Sequence, residues 1–178
     1  KRSNYLCISD DNGENIIQKT LPCSVHGNEV GRATGDRLIY KNGRLYFGSQ
    51  TAGIIYSEDM GESWQSIDLF GEKNISLIWT DSEGKLFIAG CSGEANSPDG
   101  VTRGHTLYCS TDGLKSFVPL TAPDPVKHEN SSYYGFVPQR ITSDSRYIYI
   151  TFASSGEVFY GGMGAYACDT GSLSGGKV

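Results

Sequence analysis

Two eight-residue segments of this 178-residue chain set a hydroxyl two residues ahead of a carboxylate. They are Ser57-Glu58-Asp59-Met60-Gly61-Glu62-Ser63-Trp64 and Ser110-Thr111-Asp112-Gly113-Leu114-Lys115-Ser116-Phe117. A looser copy is Ser9-Asp10-Asp11-Asn12-Gly13-Glu14-Asn15-Ile16, and a degenerate fourth is Ala167-Cys168-Asp169-Thr170-Gly171. Such aspartates could hold a calcium ion or transfer a proton. They could instead cap a tight turn, carboxylate and hydroxyl accepting hydrogen bonds from backbone N–H groups. The turn reading is the one adopted, because the same residues recur in every unit whereas an active site is built once. It gives structural roles to Ser57, Asp59, Gly61 and Trp64, to Ser110, Asp112 and Phe117, and to Ser9, Asp11 and Gly13, with the Trp64 and Phe117 rings as plugs beneath their turns.

Other reactive groups are sparse. The five cysteines are Cys7, Cys23, Cys91, Cys109 and Cys168, an odd count that leaves at least one thiol without an intrachain partner. None forms a Cys-x-x-Cys pair or stands at ligand spacing from His26, His105 or His128, so no metal site and no cofactor is expected. The wide spacing does not read as a disulfide framework. Cys7, Cys109 and Cys168 stand in apolar alternating runs and are expected to pack as small hydrophobes. With 15 basic and 20 acidic residues the formal charge is -5, against the concentrated basic face that a nucleic-acid partner requires. No window approaches the roughly 18 consecutive apolar residues of a membrane span. No apolar stretch at Lys1 to Cys7 is long enough for a signal peptide.

The elements that carry the Ser-x-Asp turns also repeat. Asp36 to Phe47, Ser76 to Ile88 and Gln139 to Ile150 each read as strand, tight polar turn, strand, with Asn42-Gly43, Glu83-Gly84 or Asp144-Ser145 in the turn. A basic residue, Arg44, Lys85 or Arg146, is expected to open each second strand. Joined to the Ser-x-Asp segments, these hairpins give four-strand antiparallel units, the best being 37–40, 44–49, 53–58 and 64–69. The fold class is all-β, with no stretch of helical periodicity. The copies recur at intervals of roughly 50 residues, the period of propeller blades. The expected division is the outer two strands of one blade at 1–21, blades at 36–69 and 76–120, and most of a further blade at 139–178. About three and a half blades fall short of a closed ring, so the chain is expected to be a piece of a larger propeller, whose remaining part is a partner.

Ser57 to Trp64 resembles the Asp-box, or bacterial neuraminidase repeat, of sialidases and other propeller families. A more specific resemblance is to glycoside hydrolase family 74, the xyloglucanases. It rests on Gly27-Asn28-Glu29-Val30-Gly31-Arg32-Ala33-Thr34-Gly35-Asp36-Arg37-Leu38, then Leu45-Tyr46-Phe47-Gly48, then Ser57 to Trp64, and further on Gly135-Phe136-Val137-Pro138 and Tyr149-Ile150-Thr151-Phe152. Asp36 stands where that family has Glu, and Gln139-Arg140 where it often has His.

The resemblance implies part of the first of two seven-bladed propellers. It also implies a secreted enzyme that cleaves β-1,4-glucan, chiefly xyloglucan, with inversion. Inversion needs two carboxyl groups about 6.5–9.5 Å apart. The family's catalytic aspartates have no counterpart in this chain, so no catalytic residue is assigned. The connections opposite the Ser-x-Asp turns are Thr20–Gly35, Ser49–Gly53, Cys91–Thr106, Thr121–Pro138 and Ser154–Gly164. They would face the polysaccharide or oligosaccharide, with aromatic faces for stacking and planar polar groups for hydroxyls. The binding candidates are Asn28, Arg32, Gln50, Tyr133, Tyr134, Gln139, Arg140 and Tyr160. Two readings compete. One is a non-catalytic propeller scaffold. The other is a sialidase-like exo-glycosidase, for which the arginine-bearing Phe/Tyr-Arg-Ile-Pro strand start is missing.

Overall fold

The structure is a computed structural model. It describes residues 5–23, 37–49, 51–69, 75–91, 107–120, 136–154 and 162–170. Every regular element of appreciable length among them is a strand: β1 (Tyr5–Ile8), β2 (Ile17–Thr20), β3 (Leu38–Lys41), β4 (Arg44–Gly48), β5 (Ile54–Ser57), β6 (Gln65–Ile67), β7 (Ile75–Thr80), β8 (Phe87–Cys91), β9 (Leu107–Ser110), β10 (Val118–Leu120), β11 (Phe136–Ser143), β12 (Tyr147–Ser154) and β13 (Gly162–Asp169). They form four antiparallel sheets in chain order: β1-β2, β3-β4-β5-β6, β7-β8-β9-β10 and β11-β12-β13.

Each hairpin follows from its turn residues. Asn42 and Gly43 both take positive φ, 50 and 80, as a two-residue turn matched to strand twist requires. In the six-residue β7–β8 turn the Asp81 carboxylate accepts the Lys85 N–H at 2.8 Å, and Gly84 takes φ 70. That hydrogen bond keeps Lys85 inside the turn, so β8 opens on Phe87. Likewise the Asp144 carboxylate accepts the Arg146 and Tyr147 N–H groups, both at 2.7 Å, and β12 opens on Tyr147. Of the three basic residues expected to open a second strand, Arg44 alone does so.

Three buried seams stack the sheets. Leu45, Phe47 and Ile55 of the second sheet meet Leu6, Leu21 and Ile8 of the first. Tyr46, Ile54 and Ile39 point the opposite way and meet Ile75, Ile78, Phe87, Ala89 and Tyr108 of the third. Ile88, Leu107 and Cys109 meet Ile148, Ile150 and Cys168 of the fourth. Successive side chains along a strand leave on opposite faces, so a sheet between two neighbours needs apolar residues at every position. That is why 45–47 and 87–89 read as unbroken apolar runs. Fully burying one such Ile or Leu contributes about 1.5–3 kcal/mol.

The same alternation corrects one expectation. Leu6 and Ile8 turn toward the second sheet, so Cys7 leaves on the other face and is exposed, while Cys109 and Cys168 are buried as expected. Burial pushes the Cys109 thiol up to about 11, helped by Cys168 nearby.

Candidate functional site

The Ser-x-Asp turns and the β3–β4 type of hairpin lie on one rim, because both connect strands at the same end of an antiparallel sheet. The strand ends that these turns do not join lie at the opposite rim. Of the binding candidates, Asn28, Arg32, Gln50, Tyr133, Tyr134 and Tyr160 lie outside the described residues. Gln139 is in β11 at a register shift between Pro138 and Arg140, and Arg140 pairs with Thr151 and is exposed.

What the structure describes beneath that rim is a buried polar floor. Ser49 is fully buried, and its hydroxyl accepts the Thr51 and Ala52 N–H groups at 3.0 and 3.1 Å. Its N–H donates to the Gly53 carbonyl at 2.8 Å. Its own carbonyl accepts the Ile75 N–H at 2.8 Å, tying the second sheet to the third. Arg37 is 7% exposed, its carbonyl accepts the Gly48 N–H at 2.8 Å, and burial holds its guanidinium below the usual arginine range. The Cys23 thiol is pushed up by burial and partly restored by a side-chain hydrogen bond with Ser49. A Cβ at Gly48 would lie 2.7 Å from Ile75 Cγ2, so this close approach requires glycine. Sequence reasoning quoted Gly48 in a motif and Ser49 at the start of a connection but gave neither them nor Cys23 a part in this floor. The Gly recurring at the end of β4 and, as Gly90, near the end of β8 was the available signal.

On the other rim the three turns share one geometry. The Ser57 hydroxyl donates to Asp59 Oδ1 at 2.7 Å and accepts the Gly61 N–H at 2.7 Å. Asp59 in turn accepts the Ser63 N–H at 2.9 Å. Ser9 and Asp11 repeat this with Gly13 and Asn15, and Ser110 and Asp112 with Leu114 and Ser116. The Asn15 N–H holds the Asp11 carboxyl down at about 2. The Ser116 hydroxyl does the same for Asp112, also at about 2. The Ser63 hydroxyl holds Asp59 well below the usual carboxylate range. Carboxylates so held are anions at neutral pH and cannot serve as general acids. Among the described residues no group of three or more His, Cys, Asp or Glu is placed to hold a metal ion.

The ring seven residues after each Ser faces the preceding sheet. Trp64 packs with Leu6 and Leu21, and Phe117 with the Tyr46 and Ile54 cluster. Gly61 takes φ 87, a conformation that favours glycine, and a Cβ there would lie 2.8 Å from Leu6 Cδ2, which would have to shift. The equivalent Leu114 accepts φ 71 and packs its side chain into the second seam. The fourth copy is shifted by one residue from the sequence alignment. Ser57 pairs with Leu45, Ser110 with Phe87 and Cys168 with Ile148, and all three partners face the preceding sheet. Cys168, buried like both serines, therefore holds the Ser position, and Ala167 is exposed.

No family model matches the sequence. Over 91 residues the chain is 30% identical to an oligoxyloglucan-reducing end-specific xyloglucanase of Emericella nidulans, covering 46% of this chain and 11% of that protein. It is 28% identical to a probable enzyme of the same name from Neosartorya fischeri, covering 62% and 13%. It is 27% identical to a xyloglucanase of a Paenibacillus species, covering 64% and 13%. In fold it matches a glycoside hydrolase family 74 enzyme of Niastella koreensis with a TM-score of 0.72 at 21% identity, over 96% of this chain and 25% of that one. A family 74 xyloglucanase of Xanthomonas campestris matches with a TM-score of 0.65 at 22% identity, over 93% and 25%. The chain thus spans a small part of each relative. Its stacked sheets are homologous to a segment of the xyloglucanases and have the fold of part of a family 74 β-propeller.

Proposed function

We propose that these residues are part of a secreted glycoside hydrolase that acts on xyloglucan or a related β-1,4-glucan, and that they supply one stretch of its substrate cleft. The observation that carries this reading is the likeness to three xyloglucanases together with a fold match covering 96% of this chain. The cleft side is the rim opposite the Ser-x-Asp turns. There Arg140 and Gln139 stand on β11, and Asn28, Arg32, Gln50, Tyr133, Tyr134 and Tyr160 belong to the connecting loops by sequence position. The Ser-x-Asp turns are Asp-boxes in this reading, and their aspartates serve architecture. Their carboxyls, held below the ordinary carboxylate range by turn N–H and hydroxyl groups, support that role. The catalytic carboxyl pair belongs to other parts of the enzyme.

The test is affinity electrophoresis of the chain in gels containing xyloglucan, unsubstituted β-1,4-glucan or no polysaccharide. The expected result is retardation by xyloglucan that falls at least fivefold in Tyr133→Ala and in Arg140→Ala. Mobility unchanged by either polysaccharide, with no xyloglucan hydrolysis by the longer protein, would overturn the reading.

A further inference from the structure

The third seam differs from the other two at one pair of matched positions. The residue before each turn serine looks into a seam from one side, and the turn serine of the next sheet looks into it from the other. These are Ile8 and Ser57 in the first seam, and Tyr56 and Ser110 in the second. In the third seam the same two positions are Cys109 and Cys168. Cys109 stands opposite Ile88 and Cys168 opposite Ile148, and cross-strand partners share a face, so both thiols enter the seam that holds Ile88 and Ile148. They are 2% and 3% exposed and belong to one buried cluster with Leu107, Leu120 and Ile150. Their proximity is also electrostatic, since Cys168 adds to the burial that holds the Cys109 thiol up. Where the Ser57 and Ser110 hydroxyls accept a turn N–H, the Cys168 thiol donates to the Asp169 carbonyl at 3.6 Å. Of the other described cysteines, Cys7 is exposed and Cys23 packs in the first seam, so neither reaches this cluster.

We infer that Cys109 and Cys168 are a reversible redox pair, and that their oxidation bolts the third sheet to the fourth. The co-reactant is a small-molecule disulfide of the glutathione type. One cysteine thiolate attacks it and expels a first small thiolate. The other cysteine thiolate then attacks the mixed disulfide and expels the second. Two protons pass from the cysteines to the two released thiols, so the cysteine sulfurs are oxidised and the small disulfide is reduced. A bridge requires Cα atoms about 4.4–6.8 Å apart, closer than the roughly 10 Å between stacked sheets. Its formation therefore draws β9 and β13 together. Cysteine is smaller than the Ile8 and Tyr56 that hold the Cys109 position in the other sheets, which lets the backbones approach. Buried thiols react only when their seam opens, so the exchange is slow in both directions. This inference stands apart from the glycan reading, which its failure would leave intact.

The test uses the whole chain carrying Cys7→Ser, which removes the exposed thiol. The folded chain is equilibrated in glutathione buffers of rising disulfide fraction, alkylated, and mapped by mass spectrometry. The expected result is a linked pair of peptides carrying Cys109 and Cys168, which dithiothreitol separates. The oxidised chain is expected to unfold in urea at least tenfold more slowly than the reduced one. Cys168→Ser, which puts there the residue of the matching turns, is expected to lose both effects. Separate alkylation of Cys109 and Cys168 at every glutathione ratio would overturn the inference. So would a linked pair that forms only when the chain is oxidised in denaturing urea, because the folded seam would then keep the two thiols apart.

Discussion

Arg37 and Arg140 hold the same place in two sheets. Each precedes a residue, Leu38 or Ile141, whose cross-strand partner, Phe47 or Ile150, faces the preceding sheet. Arg37 is buried and Arg140 is exposed. The difference does not lie in the strands that carry them. The face holding Arg37 also holds Ile39 and is covered by the third sheet, while the matching face of the fourth sheet meets no further sheet among the described residues. Trp64 and Phe117 against Ile16 repeat the lesson. The two rings seal against a preceding sheet, and Ile16, at the same place in its turn, is 61% exposed. Burial in this molecule is set by the neighbouring sheet.

The sharpest way to break that comparison uses adjacent residues of β12. Ile150→Ala is expected to lower stability by about 2–5 kcal/mol in urea unfolding, since Ile150 is buried in the third seam. Thr151→Ala, on the uncovered face, should stay within about 0.5 kcal/mol. Equal losses would mean that the third and fourth sheets are not stacked. Next, Arg37→Ala, which removes a buried side chain, should cost about 0.5–3 kcal/mol through lost packing, and Arg140→Ala, at an exposed position, about 0.5 kcal/mol or less. Matching values would place both arginines in one environment.

A smaller contrast separates two turns. Ser57→Ala leaves the buried Gly61 N–H without its acceptor and should cost about 1–3 kcal/mol, while Ser9→Ala, where water can replace the hydroxyl, should cost under about 1 kcal/mol. The smallest effect is shared by all three turns. Asp11 and Asp112 fall from 3.8 to about 2 on folding, and Asp59 falls further. The lowered folded-state values favour the folded protein above the unfolded value, and this contribution is lost as pH drops from about 4 through about 2. The urea midpoint should be insensitive to these groups between about pH 5 and 7 and decline below about pH 4, less steeply in Asp59→Asn. A midpoint level down to pH 2 would mean that the turn hydrogen bonds do not survive in solution.

The turns were legible in the sequence because their determinants are local. Asn42-Gly43 fixes a two-residue hairpin, and Ser57 with Asp59 closes a loop on its own backbone. The strands of the second sheet followed to within a residue or two. What sequence could not give was which face each residue meets. Cys7 sits in an apolar run like Cys109, yet nothing nearby in the chain tells that no sheet among the described residues packs on the face that carries it. The displaced fourth turn failed for a related reason. Cys168 takes the serine's place by pairing with Ile148, a contact invisible to an alignment keyed on hydroxyls. The roles of Ser49 and Gly48 were not legible because they come from Ile75, in another sheet.

The hairpin tips have one more consequence. The Lys41 ammonium donates to the Ser82 carbonyl and the Asn42 amide to the Glu83 carbonyl, so one turn grips the backbone of the next. Ile75 and Ser49 make a second clasp toward the other end of the same pair of sheets. Two clasps at different heights fix the dihedral wedge between the slabs, as one could not. Prying the two slabs apart at either end therefore has to break a hydrogen bond to backbone.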